Sequence, residues 1–196
     1  MLSGDKHVVE IAPFNARIAI SFYDAGLDLD RTLVFDVRIN ENGIEIENVD
    51  DKAYLEYFDN TRRLRCEVFS KLEEIIKLID QKRCPICGRK MKVVRKRRYR
   101  RKSVSGRFLK ACGYDASDYD VKEEFFFTCF KCDVKCERTF ETWDGKTVLN
   151  WSYKITKNGK TANYTHYGYF NEEKYLHMNL RFLRELFEMG LVVIKK

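Results

Sequence analysis

Two cysteine pairs, Cys84 with Cys87 and Cys129 with Cys132, constrain the fold of this chain more than any other feature. A two-residue gap lets both thiolates of a pair reach one ion. Two such pairs supply the tetrahedral four-sulfur shell that zinc prefers. Whatever lies between the pairs must therefore leave one point and return to it. In Cys84-Pro85-Ile86-Cys87-Gly88 the glycine also permits the tight turn after the second thiolate. Four thiolates leave no coordination position for water, so the expected ion is a single structural Zn2+ without hydrolytic chemistry. A redox pair would need a βαβ context that the sequence lacks. Three further cysteines remain: Cys136 and Cys112 stand as substitute ligands, and Cys66 reads as helix core.

Between the pairs, Met91–Arg100 and Lys122–Thr128 read as strands that run together and bring the two knuckles face to face. With its CPxCG knuckle, outgoing strand, returning strand and second CxxC, the segment 84–143 resembles the zinc-ribbon class. That resemblance implies a structural zinc and names no single family. Two features depart from the class: 41 residues separate the pairs, and Asp133 stands where the second knuckle usually has glycine.

Charge is distributed as unevenly as cysteine. Residues 81–114 hold 14 Lys/Arg and no Asp or Glu, whereas residues 1–80 carry a balance of −7 and residues 115–196 are neutral. The run Arg95, Lys96, Arg97, Arg98, Tyr99, Arg100, Arg101, Lys102 places seven cations in eight residues, and Arg107 and Lys110 extend it. Such a one-signed surface draws nucleic-acid phosphate, DNA or RNA, through counterion release. Tyr99 is placed to stack on a base. The competing partners are an acidic protein surface and the acidic N-terminal part of the same chain. Alternation along a strand sends neighbouring cations to opposite faces, so phosphate contact without base readout is the expected mode. Residues 101–121 read as a mobile loop.

The remaining sequence reads as antiparallel hairpins packed by two helices, an α+β fold with the four-cysteine ribbon embedded. Leu33, Phe35, Val37 and Ile39 alternate up to Asn42-Gly43, and Ile44 and Ile46 resume the alternation beyond it, a hairpin signature. A second hairpin, 148–170, turns at Asn158-Gly159. Asp50-Asp51 precede a helix whose apolar face is Leu64, Val68, Leu72, Ile75, Ile76 and Ile79, and which must stop before Pro85. Asn171 caps a last helix with the stripe Leu176, Leu180, Leu183 and Phe187, closed by Gly190. Leu191–Ile194 reads as a short final strand. The units expected are 1–81, 82–143 and 144–196, the last packing with the first.

Enzymatic chemistry has one candidate. Asp28-Leu29-Asp30 puts two carboxylates on one side of an extended segment, an arrangement able to hold Mg2+ for phosphoryl transfer. It is similar to the acidic motif of archaeal and eukaryotic-type primases. The likeness rests on two aspartates, and a turn at Asp24–Asp28 is the stronger reading. No phosphate loop, GxSxG or HExxH occurs, so a non-enzymatic protein is expected. No apolar run reaches the roughly 18–20 residues that span a bilayer, and the N-terminus lacks a signal-peptide pattern. An intracellular, cytoplasmic protein with no membrane partner follows. A single Gln and 34% charged residues lean toward thermophile usage.

Overall fold

The computed structural model describes residues 8–24, 27, 29–49, 58–142, 148–167 and 172–195. Of these, the residues in Leu78–Phe170 form one compact unit, and those in Asp5–Lys77 and Asn171–Lys196 another.

In the second of these units the alternating apolar pattern yields an antiparallel sheet. Strand β1 is Val9–Ile11; β2 (Phe14–Asp24) pairs with β3 (Leu29–Asn40), and β3 with β4 (Gly43–Val49). The two-residue turn is Glu41-Asn42, one residue earlier than the Asn-Gly pair, because Asn40 faces Gly43 and its Oδ1 accepts from the Asn42 amide at 2.9 Å. One face buries Phe14, Ile18, Ile20, Phe35, Val37, Ile39 and Ile44; Ala19, Val34 and Val49 form a small cluster on the other. Helix α1 (Phe58–Leu64) packs against β2, and α4 (Glu172–Glu188) against β2 and β4. The α4 helix ends as a Schellman motif at Gly190 (φ 67°), with Leu191 N–H donating to Leu186 O at 2.9 Å. The final strand, β10 (Val192–Ile194), pairs in parallel with β1, so this pairing is not an antiparallel hairpin.

From α1 the helix continues through a wide turn, Arg65–Phe69, into α2 (Ser70–Asp80). Leu64, Val68 and Leu72 recur at spacings of four, which drift off a 3.6-residue face. The wide turn corrects the drift, and all three are buried. Cys66 points away from this face and is exposed, contrary to its reading as core. The Asp50-Asp51 and Asn171 caps lie outside the described residues.

The unit 78–170 is built on one five-stranded antiparallel meander: β5 (Lys92–Lys102), β6 (Tyr119–Cys129), β7 (Val134–Thr142), β8 (Val148–Lys157) and β9 (Lys160–Tyr167). Asn158 and Gly159 take φ values of 51° and 76°, which makes their turn type I′ as the Asn-Gly signal requires. Because β7 pairs with β8 from Val134↔Lys157 onward, the boundary read at residue 143 is not a break in the sheet. Residues 101–121 are also more ordered than the loop expected. The β5 strand runs to Lys102, α3 occupies Val104–Ala111, and β6 begins at Tyr119. Ser103 caps α3 by accepting from Gly106 N–H at 2.9 Å, and Gly113 (φ 86°) closes it, with Tyr114 N–H donating to Leu109 O at 3.0 Å. Three helical stretches thus stand among the described residues where two were expected. None is long and apolar enough to cross a membrane.

Candidate metal centre and basic edge strand

The two cysteine pairs meet because β5 and β6 pair from Lys92↔Thr128 to Lys102↔Tyr119, returning Cys129 to the start of β5. The first knuckle hangs on backbone bonds. Cys84 N–H donates to Arg89 O at 2.8 Å, Gly88 N–H to Cys84 O at 2.9 Å, and Met91 N–H to Lys82 O at 2.7 Å. Gly88 takes φ 64°. Its counterpart in the second knuckle, Asp133, takes φ 48°, a left-handed conformation that aspartate tolerates better than most residues. The missing glycine therefore leaves the turn intact.

The sulfurs of Cys84, Cys87, Cys129 and Cys132 all lie within 4.8 Å of one another, and Cys87 Sγ to Cys129 Sγ is 3.7 Å. Ligands about 2.3 Å from a tetrahedral zinc stand about 3.8 Å apart, so the cluster suits one such ion. Burial raises the Cys84 thiol well above its ordinary 9.0. Cys132 is pushed up to about 11 by burial and by the Cys87 and Cys129 thiols. At Cys87 burial opposes the thiolate, but the Arg89 amide and the neighbouring thiols outweigh it and lower the value. Bringing four thiolates together needs a cation, and binding it releases protons. Cys136 stands outside the cluster, fully buried on the sheet, its thiol pushed to about 12 by burial and by Cys129. Cys112 is exposed at the end of α3.

Every residue of β5 is exposed, and β5 is one edge of its sheet, β9 the other. Register and alternation split the run into two sets. Arg95, Arg97, Tyr99 and Arg101 share a face with Phe126, Glu124, Lys122 and Asp120, while Lys96, Arg98, Arg100 and Lys102 share the other with Phe125, Glu123, Val121 and Tyr119. The run has no acids of its own in sequence, yet β6 supplies some. Glu123 stands 3.4 Å from Arg98 and 3.8 Å from Lys96, and Asp120 stands 3.2 Å from Arg101. Other cations rest on rings: Arg95 lies 4.1 Å over Phe126 and Arg100 4.1 Å over Tyr119. Tyr99 donates to Glu124 at 3.4 Å. Of the two extensions, Arg107 is exposed and Lys110 reaches Asp118 at 3.2 Å.

The sequence reading missed Asp80 and Arg138. Asp80 ends α2 and accepts from Arg138 Nη1 at 3.1 Å and from Tyr153 Oη at 3.0 Å. An acid at a helix C-terminus opposes the helix dipole, and that local misfit was the signal available. Of the two Mg2+ candidates, Asp28 lies outside the described residues and Asp30 is exposed; nearby Asp36 is held by Arg17 at 2.7 Å and 3.1 Å. Comparison with family models, curated proteins and solved structures returns no match.

Proposed function

We propose that this chain is a non-enzymatic nucleic-acid-binding protein. In this reading one structural Zn2+ on Cys84, Cys87, Cys129 and Cys132 staples the knuckles of a zinc ribbon. The staple fixes β5 as a basic edge for phosphates. The observation that carries the reading is β5 itself, with seven cations in eight residues, all exposed. A few charges suffice to keep an edge strand from pairing with another sheet. Seven exceed that need, and the β6 acids answer only part of them. Contacts of this kind go to the phosphodiester backbone and carry no sequence information.

The second reading, an interaction or inhibitor module docking on an acidic partner, draws on the exposed Phe108 of α3 and Phe130 of the second knuckle. A salt series separates the two. Binding of a mixed-sequence oligonucleotide, DNA or RNA, should fall log-linearly with salt by about 0.7–0.9 per phosphate neutralised. Reversing Arg97, Arg98, Arg100 and Arg101 to Glu should flatten that slope. A protein that binds neither polymer at about 50 mM salt overturns the nucleic-acid reading.

A further inference from the structure

The two faces of the five-stranded sheet are chemically unlike, and the difference selects both a surface and a form of nucleic acid. On the face of Arg95, Arg97 and Arg101 the cations sit among acids: Asp120, Glu124, Glu137 and Glu141 all belong to it by register. Across the other face one transverse row runs Arg98, Glu123, Phe140, Trp151, His166. The neighbouring row is Lys96, Phe125, Arg138, Tyr153, Tyr164. Glu123 is the one acid in these two rows. Beyond it on β5 lie Arg100 and Lys102, with no carboxylate within ion-pair distance among the described residues.

The aromatic content of this second face divides along the strands. Toward the cysteine cluster Phe127, Ile155, Tyr153 and Tyr164 are buried, and Asp80 closes over Tyr153 and Arg138. Those rings are core. Further along, Phe125, Phe140, Trp151 and His166 remain half-buried. Trp151 and His166 stack at 4.0 Å with 17° between their planes. Half-buried stacked rings on one face, with unanswered cations on the β5 margin of the same face, have the two elements of a single-strand platform: π-faces for bases and a charged margin for phosphates. A duplex hides its base faces in its own stack and gains nothing from such rings.

We infer that the ligand is single-stranded nucleic acid that crosses this face, with bases stacking on Phe140, Trp151 and His166 and the phosphates that reach the β5 margin meeting Arg100 and Lys102. This rests on the nucleic-acid reading above and narrows it to one face and one form of the polymer.

The test compares oligo(dT) and oligo(U) of about 12 nucleotides with a duplex of equal phosphate content at about 50 mM salt. At least one single strand should bind about tenfold more tightly than the duplex. Trp151→Ala should weaken single-strand binding about tenfold and leave duplex binding unchanged. Arg100→Glu with Lys102→Glu should weaken both. A second readout avoids reliance on the alanine variant's folding. With Trp143→Phe, Trp151 is the one remaining tryptophan, and its emission should be quenched by the single strand and unmoved by the duplex. Duplex bound as tightly as the tighter-binding single strand, or an emission indifferent to both, overturns the inference and leaves the phosphate reading standing. Failure to bind any of the three polymers removes both.

Discussion

Replacing Asp80 by Ala tests the packing that holds the sheet's core rows in place. The carboxylate serves two donors, Tyr153 Oη at 3.0 Å and Arg138 Nη1 at 3.1 Å. Tyr153 is buried, 3% exposed, so its hydroxyl would be left without this partner in a place water scarcely reaches. An orphaned buried donor costs about 1–3 kcal/mol. The arginine contributes less. The Asp80 side chain is 41% exposed, which screens the pair to below about 1 kcal/mol. Arg138 also keeps its seat over Phe125 and Phe140, at 4.9 Å and 4.7 Å. The expected loss is therefore about 2 kcal/mol, most of it from Tyr153. Tyr153→Phe provides the check. Alone it should cost about 1 kcal/mol; in the Asp80→Ala background it should be neutral or stabilising, because the orphaned hydroxyl is gone. Urea unfolding of the metal-loaded protein followed by tryptophan emission reads all four species. An Asp80→Ala cost under about 0.5 kcal/mol, or a Tyr153→Phe cost equal in both backgrounds, would refute the reasoning.

Two more outcomes follow from single residues. A Cβ on Gly106 would lie 1.9 Å from Ser117 O, so Gly106→Ala should destabilise α3 by about 1–3 kcal/mol despite alanine's helix propensity, read as faster amide exchange over 104–111. Asp36 titrates below its ordinary 3.8 because Arg17 donates to it and lends its charge, with the Arg38 charge adding to this. The depressed value means that its stabilisation is full above pH 3.8 and fades as pH falls through the folded value. Asp36→Asn should therefore cost about 1 kcal/mol at neutral pH and nothing in acid, and Arg17→Met should return the Asp36 titration seen by NMR to the usual range.

What the sequence made legible was local. Asn158-Gly159 dictated a type I′ turn because both residues accept positive φ, and the spacing of Leu64, Val68 and Leu72 marked a buried face before its wide turn was known. The cysteine spacing placed four sulfurs together. The unread features depend on distant partners. Nothing local in Val9–Ile11 and Val192–Ile194 says that they pair across the whole chain, or that they do so in parallel. Nor does the second hairpin announce β7 as its neighbour, since alternation fixes which face a residue takes and leaves open which strand lies alongside. The α3 helix was different. Its cap Ser103 and its Gly113 stop were both present in the sequence, hidden within an Arg-, Ser- and Gly-rich composition that suits a loop equally well. At the site, the cations were visible from composition alone. The acids that partly answer them, Asp120 and Glu123, became partners only through the β5–β6 register.

Metal content tests the central claim most directly, because the proposed staple, and with it the proposed placing of β5, depends on it. Elemental analysis of protein purified without added metal should find one zinc per chain. Cys84→Ser, Cys87→Ser, Cys129→Ser and Cys132→Ser should each lose most of it, whereas Cys112→Ser and Cys136→Ser should keep it. Less than about half an equivalent of zinc in the unaltered protein, or loss of the metal on substituting Cys136 while Cys132→Ser retains it, would contradict the account.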